Sequence, residues 1–189
     1  MGYPYSNGDV LSHSDMNAVG LHLITPSSVT GGTLSGSLVS ITSGVSEIEI
    51  AGAFSANFRD YTIVVSNYYG SASTDLRMEL GSATSGYFWA SHARSVAGTT
   101  DDDASGGPGS STFWVGYTST TEFNSTKIDV YVPQLAKRTQ IAGYGTGQGY
   151  AHNFGGYQSG TTAYTAFTRK PLSGTLSGGQ IRVYGYGEG

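Results

Sequence analysis

Cysteine is absent from all 189 residues, so neither disulfides nor thiolate-held metals are available to this chain. Charge is sparse as well: nine Lys and Arg against thirteen Asp and Glu give a formal net charge of −4, and charged residues make up only 12% of the sequence. The basic residues never run together beyond the pairs Lys137-Arg138 and Arg169-Lys170, which leaves no basic stripe for a nucleic acid backbone. No run approaches the roughly 20 apolar residues of a membrane-spanning helix. The opening Met1-Gly-Tyr-Pro-Tyr-Ser-Asn-Gly-Asp9 has neither the basic nor the apolar region of a secretory signal. The expectation is a soluble protein made in the cytoplasm, with no nucleic-acid partner and no membrane insertion.

Catalytic signatures are missing too. There is no G-x-S-x-G elbow, no H-E-x-x-H zinc helix, no P-loop and no complete G-x-G-x-x-G. His13, His22, His92 and His152 stand far apart with no partner four residues away, and each reads as an ordinary surface or half-buried residue. Asp101-Asp102-Asp103 lacks the D-x-D-x-D-G spacing of a calcium loop and reads as a solvated segment. Asp60, Asp75, Glu79, Glu122 and Asp129 are of the type a glycan-cleaving pair needs, but such a pair is defined by its separation in space. The sequence therefore points to no enzyme, no metal and no cofactor.

What is abundant is glycine, 29 residues, and tyrosine, 14 residues. Short β-branched and aromatic runs separated by turn residues predict strands over 37–42, 45–50, 61–67, 74–80, 87–96, 112–117, 127–132, 139–144, 150–157, 164–168 and 180–186. The run over 61–67 is continuous, as in a strand covered on both faces. That over 74–80 alternates Leu76, Met78 and Leu80 with Asp75, Arg77 and Glu79, as in a half-buried one. With Gly70-Ser71 between them, the two read as an antiparallel hairpin. So many short strands predict an all-β fold, an antiparallel β-sandwich of jelly-roll-like form. Residues 99–111 carry no strand signal and read as a long exposed loop. Gly143-Tyr-Gly-Thr-Gly-Gln-Gly149 places glycine at every second position, as in a strand whose bare face is crossed closely by another chain or a large side chain.

Residues 1–32 differ from the rest and read as a short N-terminal arm, leaving 33–189 as the sandwich domain. Ser12 or Ser14 is placed to cap a small helix over 15–19 that stops at Gly20. Val10, Leu11, Met16, Val19 and Leu21 give the arm an apolar side that needs a partner, either its own domain or another protein. Residues 30–37 read as a flexible join. So many tyrosines and tryptophans cannot all be central in one core, because a tyrosine keeps its hydroxyl near water or a partner. Tyr68, Tyr69, Trp89 and Trp114 are the candidates for a receptor or subunit contact, with Tyr68-Tyr69 at the tip of the expected hairpin.

The opening Tyr5-Ser-Asn-Gly-Asp-Val-Leu-Ser-His-Ser-Asp-Met-Asn-Ala-Val-Gly20 resembles the N-terminal segment of many tailed-bacteriophage tail-fibre and minor structural proteins. Phe58-Arg-Asp-Tyr-Thr-Ile-Val-Val-Ser66, Thr74-Asp-Leu-Arg-Met-Glu-Leu80, Ile128-Asp-Val-Tyr-Val-Pro133 and Ser177-Gly-Gly-Gln-Ile-Arg-Val-Tyr-Gly-Tyr186 resemble the same group. The likeness runs through essentially the whole chain. It implies a virion appendage protein, usually a trimer, held to other virion proteins by its N-terminal segment and displaying its β-domain toward a host-surface glycan or protein. The chain has no heptad run and no collagen-like shaft. A capsid decoration or connector protein with no receptor role is therefore the alternative.

Overall fold

In the computed structural model, which describes residues 20–98 and 100–187, the chain is all β and forms two antiparallel sheets packed face to face. The first half runs through β1 (Gly20–Leu23), β2 (Ser28–Thr30), β3 (Gly32–Ser35), β4 (Leu38–Ile41), β5 (Ile48–Ala51), β6 (Asp60–Gly70), β7 (Thr74–Leu80) and β8 (Tyr87–Ser95). The second half supplies β9 (Asp101–Ser110), β10 (Phe113–Thr118), β11 (Asn124–Tyr131), β12 (Thr139–Gly147), β13 (Tyr150–Gln158), β14 (Phe167–Pro171), β15 (Leu176–Ser177) and β16 (Gln180–Gly187). The large sheet has the order β3-β4-β16-β6-β11-β12-β13-β8-β9, with β1 added on β16 and β15 on β6; the small one has the order β10-β7-β14-β5-β2. Among the described residues there is no helix. The helix expected over 15–19 lies outside them, as do Val10, Leu11, Met16 and Val19.

Each of the eleven strands expected from the sequence overlaps an observed one, but their pairing differs in one central place. β6 and β7 are not a hairpin. Both edges of β6 are taken, by β11 on one side and β16 on the other, while β7 pairs β10 and β14 in the opposite sheet. The short 71–73 link is thus a crossover between layers. Gly70 makes it passable: a Cβ there would lie 2.8 Å from the Thr118 side chain of β10.

Three other segments also depart from expectation. The supposed loop over 99–111 contains β9, an exposed edge strand paired along β8. Its three aspartates, Pro108 and glycines give it no strand pattern, yet they suit an edge that must not recruit another chain. The join over 30–37 is largely the β3–β4 hairpin, turning at Gly36 with φ +59°. Finally, residues 20–32 are woven into the sheets, β1 against β16 and β2 against β5.

The core lies between the layers and is aromatic at its centre. Trp114 of β10 sits 5.2 Å from His152, 5.8 Å from Phe154 and 5.0 Å from Tyr117, and stacks on Trp89 at 6.5 Å. These rings fit because β12 is bare on its inner face from Gly143 onward. A Cβ at Gly143 would meet Phe154 Cζ at 2.3 Å, one at Gly145 His152 Nε2 at 2.8 Å, and one at Gly147 Asn124 Oδ1 at 2.0 Å. The alternating glycines are therefore sockets for large side chains of β13 and β11. The β12–β13 turn follows at Gln148 and Gly149, both left-handed at φ +54° and +75°, the conformation of a two-residue type I′ hairpin.

His152 is almost fully buried, neither ring nitrogen has a hydrogen-bond partner among the described residues, and burial together with the nearby Arg169 cation pushes its pKa down to about 4. In the unfolded chain it titrates near its ordinary 6.5. Above that pH both states keep it neutral, and its burial adds no pH dependence. As pH falls from 6.5 toward 4 the unfolded state takes up the proton first, so stability is expected to drop by about 1.4 kcal/mol per pH unit, roughly 3 kcal/mol in total. Denaturant unfolding across this range measures the slope. His152→Phe should flatten it, and an unchanged slope in that variant would assign it to another group.

Candidate functional site

Strand alternation divides the large sheet into a core face and an outward face, and the register shows which outward residues lie side by side. One row across the strands is Tyr131, Gln140, Tyr157 and Phe88. A second, two residues along each strand, is Asp129, Ala142, Gly155, Ala90 and Ser105. The third is Lys127, Tyr144, Asn153, His92 and Asp103. Aromatic and amide side chains thus flank a middle row reduced to alanine and glycine on β12, β13 and β8. The result is a groove across the strands. From β12 to β9 it covers three strand spacings, about 14 Å.

The walls are built by local contacts. Phe88 and Tyr157 stack with centroids 4.8 Å apart and planes 12° from parallel, and the Arg138 guanidinium lies 5.3 Å from the Tyr157 ring. Opposite them Tyr144 is 60% exposed, with Lys127 Nζ 5.9 Å from its ring centroid. At the β9 end a hollow of about 300 Å³ is lined by Phe88, Trp89, Ala90, Gly106, Gly155, Gly156 and Tyr157. At the other end β11 closes the floor with a polar relay. The Tyr186 hydroxyl meets Thr62 Oγ1 at 2.8 Å, Thr62 donates to Asp129 at 2.5 Å, and Lys127 pairs with Asp129 at 3.0 Å. The bond from Lys127 to Asp129 holds the lysine above its ordinary pKa, so it stays cationic. Burial, then the Asp129 charge, raise the Tyr131 phenol, which stays neutral.

Such a surface suits an extended ligand with flat, weakly polar faces and many hydroxyls. Aromatic walls supply stacking area at little conformational cost, and Gln140, Asn153 and His92 supply hydrogen bonds. The carboxylates weighed for glycan cleavage are each engaged: Asp75 with Arg77, Glu79 with Lys170, Asp60 with the Val132 N–H, Asp129 with Lys127 and Glu122 with the Gly149 N–H. Asp101, Asp102 and Asp103 alternate between faces. The outer two pair with Arg94 and His92, while Asp102 accepts the Tyr117 hydroxyl. Among the described residues no cluster of three or more acidic or histidine side chains has metal-binding geometry.

Of the contact residues expected from the sequence, only Trp89 borders the groove, in the lining of the hollow at its β9 end. Trp114 and Tyr68 are core residues, 2% and 1% exposed, and Trp89 is 9% exposed against Trp114. Tyr68 is turned inward by its neighbour. Asn67 is left-handed at φ +58° and forms a bulge in β6 opposite Asn124–Thr126, which shifts the alternation by one residue. The Tyr68 hydroxyl then reaches Thr126 Oγ1 at 2.9 Å and the Tyr117 carbonyl at 3.1 Å. Tyr69 faces out beside Phe123, away from the groove. Leu21 is 52% exposed on β1, paired with Tyr186. Tyr157 is one of the many aromatics that the sequence offers for such a surface, whereas Gln140, Tyr144, Asn153 and Phe88 are not singled out by it, because nothing short of the register aligns them.

No protein-family model matches the chain, and no curated protein does. Among solved structures it is similar to a protein of unknown function from Shewanella oneidensis MR-1, at 10% identity and a TM-score of 0.34, over 94% of this chain and 84% of that one. It is also similar to peanut lectin bound to a 9mer peptide, at 12% identity and a TM-score of 0.25, over 95% of this chain and 94% of that one. Both scores are too low to bear on function.

Two adjacent glycines test which face is which. A Cβ on Gly155 would have only an ordinary contact, 3.5 Å to the Ile141 carbonyl, whereas one on Gly156 would lie 2.2 Å from the Phe88 carbonyl. Gly155→Ala should leave stability within about 0.5 kcal/mol, and Gly156→Ala should lower it by roughly 1–3 kcal/mol. Thermal unfolding of the two variants decides. Equal losses would mean that Gly155 does not form an open floor.

Proposed function

We propose that this chain is a non-enzymatic binding module of a bacteriophage virion, a tail-fibre or tail-tip component that meets the host surface through the outward face of its large sheet. The observation that carries the binding part is the groove, an alanine and glycine floor between Phe88, Tyr157 and Gln140 on one side and Tyr144, Asn153 and His92 on the other. Its chemistry fits a saccharide chain: rings stack on aromatic side chains, and hydroxyls meet amides and an imidazole. The virion part is supported by the sequence resemblance. In this reading the segment with Val10, Leu11, Met16, Val19 and Leu21, including the short helix over 15–19, anchors the protein to other virion proteins. The jelly-roll-like form and a homotrimeric assembly belong to the same proposal.

One further feature fits assembly. Leu21 and Leu23 are about half exposed and share the outward face with Tyr184 and Tyr186, an apolar strip beyond the β11 end of the groove. A neighbouring copy or virion protein covering that strip would leave the groove free. It would equally serve a capsid decoration protein, so position on the particle separates the two.

The purified oligomer is expected to bind host cells or isolated host glycans. Tyr144→Ala combined with Tyr157→Ala should weaken that binding about tenfold or more, as loss of two stacking faces requires. The melting temperature should hardly move, since Tyr144 is exposed and Tyr157 half-buried. No binding by a confirmed, folded oligomer would sink the recognition role. Electron cryo-microscopy placing the protein on the capsid lattice would sink the tail assignment.

A further inference from the structure

The nine basic side chains of this chain are unevenly used. Arg77, Arg94, Lys127 and Lys170 pair with carboxylates, Arg182 donates to Gln180, and Arg169 is buried against Tyr68. The remaining three, Arg59, Lys137 and Arg138, have no carboxylate partner among the described residues. All three line one hollow of about 580 Å³, together with Tyr131, Gln140 and Thr161. In a chain of net charge −4 that concentration of cations is a local reversal of sign.

The hollow is built rather than incidental. Val132, at its base, is a β-branched residue held in the left-handed region at φ +54°, a costly conformation that surrounding bonds must enforce. Its N–H donates to Asp60 Oδ1 at 3.0 Å and to the Arg59 carbonyl at 3.2 Å. That bond also occupies one oxygen of Asp60, the one carboxylate in the lining. The following turn is tied to two other loops, because Gln134 donates to the carbonyls of Phe54 and Tyr164 and the Tyr164 N–H donates to the Pro133 carbonyl. Three loops at one end of the sandwich are thereby fixed around the cations, and loops on a rigid frame are where β-sandwiches place recognition.

The hollow also joins the groove. Tyr131 and Gln140 belong to its first wall row, and Arg138 lies over Tyr157 in that same row. We infer that the groove and this hollow form one site for an acidic saccharide, the groove holding the chain and Arg59, Lys137 and Arg138 holding a carboxylate on one of its sugars. Arginine presents paired N–H donors matched to a carboxylate, and lysine adds a mobile point charge. The inference deepens the recognition reading given above and rests on it.

The test uses three acidic probes, a galacturonate oligomer, a hyaluronan oligomer and sialyl-lactose, each beside a neutral oligosaccharide of similar length, titrated calorimetrically into the intact protein. At least one acidic probe should bind about tenfold tighter than its neutral counterpart, and the preference should shrink as salt rises from about 0.05 to 0.5 M. Lys137→Gln with Arg138→Gln should bring the acidic probe down to the level that its neutral counterpart shows with the same variant, while leaving the melting temperature in place, both side chains being exposed. Neutral and acidic probes binding alike would overturn the charge assignment and leave the groove as a saccharide site. A preference that survives in the double variant would overturn it as well. Binding of none of the probes would bring down the saccharide reading together with it.

Discussion

A buried cation with no counter-ion among the described residues sits between the two sheets, and much of the core is arranged around it. Arg169 of β14 is 2% exposed, and its guanidinium carbon lies 5.2 Å from the centroid of the Tyr68 ring. Its Nε and one terminal nitrogen have no hydrogen-bond partner among the described residues. Taking such a group out of water costs several kcal/mol unless something attracts it, and here the attraction is the electron-rich face of Tyr68. Burial lowers the arginine's pKa, but a guanidinium starts so high that it stays charged. Tyr68 therefore has to point inward, and the left-handed Asn67 bulge is the backbone device that turns it. Burial, and after it the same positive charge, disfavour a proton on His152, so the histidine occupies the aromatic centre as a neutral ring.

From that centre the glycine pattern follows. His152, Phe154 and Asn124 need room on the inner face of β12, and Gly143, Gly145 and Gly147 leave it. On the outward face the logic is reversed. Gly155 and its neighbours Ala142 and Ala90 leave a floor that no side chain of the same sheet fills. A glycine is thus a socket on one side of the sheet and an opening on the other. Only the filled side contributes to stability, so the open one is free to serve binding.

This division explains what was legible in the sequence. Period-two alternation in 74–80 and 127–132 locates strands because one face of each is buried, and the alternating glycines announce a bare face crossed by large groups. Strand pairing was not legible. A three-residue polar link after Gly70 looks the same whether it closes a hairpin or crosses between layers, and only the occupied edges of β6 decide it. β9 was missed because an exposed edge strand needs no apolar residues, and Tyr68 was misplaced because one left-handed asparagine inverts the alternation that sequence reasoning assumes. The groove was invisible for a different reason. Ala90, Ala142 and Gly155 are unremarkable singly and distant in sequence, and they become a floor only through the register of three neighbouring strands.

Where the groove meets the loop end, a further constraint acts on function. Side chains on the outward face are spaced by strand geometry, about 4.8 Å between strands and about 7 Å between same-face neighbours along a strand, so the walls present a fixed lattice of contacts. A ligand gains affinity from such a lattice only if its own repeat matches, because the walls do not adapt to it. The loop end is fixed differently, by the strained Val132 and the Gln134 bonds rather than by ladder pairing. Two mechanisms of rigidity thus converge on Tyr131, Gln140 and Arg138, which touch both regions. Their positions relative to the groove are set on both sides, and a ligand spanning the junction would pay ordering entropy mainly in its own bonds and little in the protein.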